Sequence, residues 1–180
     1  MREIRADQKG FTLAELLVVI MISAVVMLAI TGVMLQLVRS GNVSARMAAI
    51  RETQTAGFWM SKDGVQTVDS TISAGAGFPC TFIWSDITTP EEFPHVVVYR
   101  LISMPSGTLM QLQREETVGG VLDSTKVVAR SLYADGTSGA TSVRWTDSTK
   151  TSFTFRVVAT VALTSENRTY QVSPRFEPQI

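Results

Sequence analysis

From Phe11 to Val38 the chain carries a single ionisable side chain, Glu15, within the run FTLAELLVVIMISAVVMLAITGVMLQLV. The run is longer than the roughly 20 apolar residues needed to cross about 30 Å of hydrocarbon, so it reads as a transmembrane helix. Thr31 and Gly32 fit that reading, because small residues let membrane helices approach closely. Ahead of the run lies MREIRADQKG, short and polar, with Arg2, Arg5 and Lys9 set against Glu3 and Asp7.

Three kinds of segment begin this way. A secretory signal would be removed at a small-residue site such as Val43-Ser44-Ala45, but its apolar stretch spans only about 7–15 residues. A plain signal anchor is the second kind. Its orientation is weakly specified here, because Arg39, Arg46 and Arg51 balance the basic residues of the leader. Neither accounts for Glu15. A carboxylate at the bilayer centre costs about 2.5–3.5 kcal/mol on insertion scales. Nearer the end it costs less, yet it still requires a partner.

The third kind accounts for it. Lys9-Gly10-Phe11-Thr12-Leu13-Ala14-Glu15 followed by unbroken apolar sequence resembles the processing site of type IV prepilins and type II secretion pseudopilins. The resemblance covers about the first third of the chain. It implies that a prepilin peptidase cuts between Gly10 and Phe11 and that the new Phe11 terminus is N-methylated. Glu15 then takes the place of the family's glutamate at mature position five. Phe11 and Glu15, at i and i+4, share a helix face, and a carboxylate in the first turn is favoured by the helix dipole. The Phe11 amine can pair with its own Glu15 or with the Glu15 of a neighbouring subunit. The family's filaments imply the second, and the sequence leaves both open.

Beyond Val38, Val43, Met47, Ile50, Gln54, Phe58 and Val65 recur at spacings of three, four or seven, with Gln54 the polar interruption. This predicts an amphipathic helix with that stripe buried. No proline precedes Pro79, so one helix is expected from Phe11 to about Val68. Near its end, Phe58-Trp59-Met60-Ser61-Lys62-Asp63 loosely resembles J- and W-type minor pilins and pseudopilins, which cap or initiate filaments. The plainer reading makes Phe58, Trp59 and Met60 the face that docks on a sheet.

Asp69 to Phe78 is rich in Ser, Thr, Ala and Gly and reads as a loop. Strands are expected at Cys80–Ser85, Val96–Ile102, Leu109–Arg114, Lys126–Tyr133, Ser142–Trp145, Phe153–Leu163 and Thr169–Val172. Turns fall at Pro105-Ser106-Gly107, Gly119-Gly120, Asp135-Gly136 and Ser138-Gly139. The short connections favour an antiparallel meander. The fold class is therefore α+β: a long N-terminal helix, its first half transmembrane and its second amphipathic, packed on an antiparallel β-sheet head.

Catalytic patterns do not emerge. One cysteine, Cys80, and one histidine, His95, exclude an intrachain disulfide and a Cys/His metal cage. Cys80 reads as a small core residue and His95 as structural or exposed. The adjacent acidic pairs Glu91-Glu92 and Glu115-Glu116 point to opposite sides of an extended chain. No dinucleotide loop, Walker motif or metalloprotease motif appears. With 16 basic against 16 acidic residues, bulk charge does not drive nucleic-acid binding. Arg144-Trp145 and Arg156 could make a small basic patch, but scattered arginines interleaved with acids read as a solvated face, so nucleic acid is not an expected partner.

The expected organisation is a leader at 1–10, a transmembrane and filament-core helix at 11–38, an amphipathic helix at 39–68 and a β-rich head at 69–180. The expected function is structural, with no enzyme activity, metal or cofactor: a minor pilin or pseudopilin of a type IV pilus or secretion pseudopilus. The resemblance implies as partners the prepilin peptidase, other pilin or pseudopilin subunits and an inner-membrane assembly platform. It implies a single-pass inner-membrane location with the head outside the cytoplasm, then the filament. The rival is a membrane-anchored β-domain that binds a ligand or DNA, and it would not need the Gly10–Glu15 block.

Overall fold

The computed structural model describes residues 12–85, 93–105, 107–136 and 139–175. Gly10 and Phe11, with the leader, and Glu91-Glu92 lie outside the described residues. One helix, α1, runs Leu13–Gln66. The chain divides into two units, one ending at Val43 and the other running Ser44–Ile180.

In the first unit every large apolar side chain from Leu13 to Val38 is exposed. The helix is long and apolar enough to cross a membrane. In the second unit α1 continues with a buried face: Ala49, Thr53, Ala56, Gly57, Met60, Asp63 and Gly64. This corrects the expected stripe. Val43, Met47, Phe58 and Val65 are exposed, as is Gln54, and only Ile50 is half-buried. The true face repeats at sevens (Ala49, Ala56, Asp63; Thr53, Met60; Gly57, Gly64), which is a helical seam. Met60 apart, it is made of small and polar residues, so hydropathy does not reveal it.

The physical reason lies across the interface. The sheet brings Phe82, Tyr99, Phe153 and Phe155 to the core, all fully buried, and rings of that size need a flat partner if voids are to be avoided. At Gly57 a Cβ would collide with the Tyr170 ring, and at Gly64 with Phe153 and Val172. Glycine is therefore required at both positions by close approach rather than by backbone angle.

Eight strands form one antiparallel sheet: β1 (Asp69–Ile72), β2 (Cys80–Ser85), β3 (Pro94–Ser103), β4 (Met110–Val118), β5 (Val121–Leu132), β6 (Ser142–Trp145), β7 (Phe153–Val161) and β8 (Thr164–Val172). Their spatial order is β1-β2-β3-β4-β5-β7-β6, with β8 also paired to β7. The α+β class is as expected, and β2 and β6 fall where the apolar patterns put them. β1 was expected to be loop. Its residues, DSTI, carry little hydrophobic signal, and they are strand because an edge was free on β2, with Asp69 opposite Ile83 and Ile72 opposite Cys80. Gly119 and Gly120 have φ of 59° and 82°, and they join Val118 to its partner Val121. Two positive φ values fit the mirror-image turn whose twist matches a tight hairpin.

Candidate functional site

Two places join the residues singled out in the sequence to a defined geometry. One is the start of α1. Thr12 precedes the first helical residue, and its backbone N–H and its hydroxyl both donate to Glu15 Oε2 at 2.9 Å. The Glu15 N–H approaches the Thr12 hydroxyl oxygen at 3.3 Å. This is a capping box, in which residues three apart satisfy each other's orphan backbone groups. The pattern Thr-x-x-Glu was readable in Thr12-Leu13-Ala14-Glu15, although the sequence analysis weighed Glu15 only as a charge. The carboxylate thus has a local partner in the chain as it stands.

The other place lies at the C-terminal end of α1, where Asp63 points into the sheet. Asp63 and Arg114 are both almost wholly buried. Arg114 Nε donates to Asp63 Oδ2 at 2.7 Å and Nη2 to Oδ1 at 3.3 Å, a two-pronged pair. Tyr99 donates its hydroxyl to Asp63 Oδ2 as well. Arg114 Nη1 reaches Glu116 Oε2 at 2.8 Å, and Glu116 Oε1 lies 3.2 Å from His95 Nδ1. The His95 ring stacks on Trp84, 5.4 Å between centroids and nearly parallel. Trp59 is ringed by cations, with the Arg114 guanidinium 5.1 Å, Lys62 Nζ 5.2 Å and Lys126 Nζ 5.6 Å from its centroid. Beside them opens a cleft of about 530 Å³.

The electrostatics follow from these contacts. Burial pushes the Tyr99 phenol up, and the Asp63 carboxylate that accepts its hydrogen bond adds to the shift. Burial opposes charge on Arg114, but its hydrogen bonds to Asp63 and Glu116 outweigh that and raise its pKa. Glu116 is likewise pushed up by burial, then held below the usual carboxylate range by Arg114 and, less strongly, by His95. The cluster therefore stores charge in a fixed arrangement. It ties α1 to β3 and β4 through one carboxylate, and each prong of the Arg114 fork is occupied.

Comparison with known proteins adds one finding. Residues 5–31 match the family model described as the prokaryotic N-terminal methylation motif. The segment is of the prepilin type. No curated protein and no solved structure matches the chain. The match supports a type IV pilin-like or pseudopilin protein, a kind that is structural. It implies processing by prepilin peptidase and assembly with other pilin subunits. With the apolar helix it also fits a single-pass membrane anchor.

Within this prepilin segment the structure describes Glu15 but not Gly10 or Phe11. Of the residues quoted for the minor-pilin resemblance, Met60 and Asp63 are buried, Trp59 packs partly against the core and Phe58 is exposed. The plainer reading thus holds for Met60 and Trp59 and fails for Phe58. Cys80 is a core residue, as expected, with burial raising its thiol pKa. His95 is half-buried and paired, in line with the structural reading. No spacing in the sequence joins Asp63, Tyr99, Arg114 and Glu116 into a unit. They lie far apart in the chain, and only the register of Tyr99 opposite Arg114 and the helix above bring them together.

Proposed function

We propose that the chain is a minor pilin or pseudopilin, a structural subunit of a type IV pilus or of a type II secretion pseudopilus. A prepilin peptidase cuts between Gly10 and Phe11, and Phe11 is N-methylated. The mature subunit sits in the inner membrane with its head outside the cytoplasm. An assembly platform then draws it into a filament, where the apolar residues of α1 pack against other subunits. Glu15 exchanges its contact with Thr12 for the Phe11 amine of a neighbour. The match of residues 5–31 to the methylation motif carries this reading. The all-round apolar surface of Leu13–Val38 supports it, because such a surface is at home in lipid or among like helices.

The N-terminus tests it. Mass spectrometry of the protein from its native membrane should find a chain that begins at Phe11 and carries one methyl group. Gly10→Val, which puts a branched side chain beside the cleaved bond, should leave the full-length precursor. Normal maturation of the valine variant would remove the basis of the proposal.

A further inference from the structure

The sheet has a second face, turned away from α1, and at β6, β7 and β8 it carries two arginines without partners. Alternation along a strand puts Ser142 and Arg144, Thr154 and Arg156, and Thr169 on that same face. The register sets Ser142 and Thr169 directly opposite Arg156 on its two sides, and Thr154 opposite Arg144. These five residues line one cleft of about 200 Å³. Arg144 is thus the diagonal neighbour of Arg156, a separation of roughly 7–8 Å in an antiparallel sheet.

Among the described residues neither guanidinium has a hydrogen-bond or ion-pair partner, and Arg156 Nε is buried with nothing to donate to. Among the described residues, two carboxylates of neighbouring segments are committed elsewhere. Glu166 projects from the opposite face of β8 and pairs with Arg46 at 2.7 Å. Asp147 accepts from the hydroxyls of Thr149 and Thr151 at 2.8 and 2.6 Å. Two permanently charged forks side by side repel, and a buried donor left without a partner is unfavourable. An anion in the cleft relieves both. Ser142 gives its hydroxyl proton to the Ala140 carbonyl at 3.3 Å and Thr154 shares a hydrogen bond with Thr146 at 3.1 Å, so Thr169, opposite Arg156, supplies the further donor. Guanidinium geometry matches an oxyanion with two coplanar oxygens.

We propose that this cleft binds a tetrahedral oxyanion, a phosphate or sulfate group, between Arg144 and Arg156 with Thr169 as a hydroxyl donor. The site is independent of the prepilin segment and of the cation-ringed Trp59. Isothermal titration calorimetry on the full-length chain in detergent micelles, at constant ionic strength set with chloride, should show saturable binding of inorganic phosphate. Arg144→Gln, at an exposed position, should weaken it about tenfold or more, the factor for one lost charge-assisted hydrogen bond. Arg156→Gln should do the same if it folds, and Lys126→Gln, beside Trp59, should leave binding unchanged. Replacing phosphate with sulfate tests which ion is preferred. Glycerol 1-phosphate tests whether the group is taken free or carried on a larger molecule, by binding more weakly or more tightly than the ion. No saturable binding of any of the three, or equal binding by wild type and Arg144→Gln, would overturn the proposal.

Discussion

The two halves of α1 solve opposite problems with one backbone. From Leu13 to Val38 the helix is apolar all round, its large side chains are exposed, and its lone carboxylate is used at the first turn. From Ser44 to Gln66 the large apolar side chains Met47, Phe58 and Val65 face outward, while Ala, Gly, Thr and Asp are buried, with Met60 the one large apolar residue among them. Apart from Met60, size rather than hydrophobicity decides burial in the second half, because the bulk comes from the rings of the sheet. The contrast shows why a hydropathy stripe misled there and succeeded in the first half. In the first half every large side chain is exposed, so composition alone decides what surroundings suit it.

Asp63→Ala is the sharpest way to break this contrast. It leaves Arg114 buried without its main counter-charge, a loss of about 3–5 kcal/mol. Denaturant unfolding of the full chain in micelles should show the head weakened by that order, whereas Leu28→Ala, at a position 74% exposed, should not affect it. A head that melts like wild type in the Asp63 variant would mean the pair is not what fixes α1 to the sheet.

Glu15 gives an effect of similar size, read in assembly rather than folding, and it rests on the proposed function. Glu15→Leu removes both the cap and the charge, whereas Glu15→Gln keeps a capping box and removes only the charge. If the carboxylate meets a neighbour's amine, both variants should mature normally and enter filaments poorly. Stranding one partner of such a pair costs about 3–5 kcal/mol, more than a hundredfold in an assembly constant. Wild-type filament yield from the glutamine variant, with loss only in the leucine variant, would reduce Glu15 to its role as a cap. The measurement is sheared filament protein relative to total mature protein.

Glycine substitutions should change sign along the helix. Nothing lies within 4 Å of a Cβ at Gly32 or Gly41, so alanine there should stabilise the helix by about 0.5–1 kcal/mol each. At Gly57 and Gly64 the same change drives a methyl into Tyr170 or Phe153 and should cost about 1–3 kcal/mol. Circular dichroism melts of the four variants give the comparison. Stabilisation at all four would show that Gly57 and Gly64 are as free of neighbours as Gly32 and Gly41.

The smallest effect is on pH. The Tyr99 phenol is raised in the fold, so its contribution is complete below its unfolded value of about 10 and fades as pH rises beyond that. Glu116 is lowered, so its contribution is present above about 4.3 and fades as pH falls. Melting temperature against pH should therefore slope down at both ends, and Tyr99→Phe should flatten the alkaline limb. An alkaline limb unchanged in the phenylalanine variant would exclude the phenol as its source.

The amino-acid sequence alone determined whatever depends on neighbours close in the chain. The apolar run, the prepilin-type block around Glu15, the absence of proline before Pro79 and the alternation in β2 and β6 are all local, and each was legible for that reason. So was the Thr12–Glu15 cap, although its pattern had to be looked for. Only the tertiary structure decided what depends on a partner distant in the chain. Asp69–Ile72 became a strand because β2 offered an edge. Gly57 and Gly64 became core because aromatic rings lay opposite, and Phe58 stayed exposed. Asp63 could be buried because Arg114 and Tyr99, remote in sequence, converge on it. Arg144 and Arg156, scattered in the sequence, became neighbours through the pairing of β6 with β7. A side chain's hydrophobicity is its own property, but the volume and charge it must complement belong to the residue across from it.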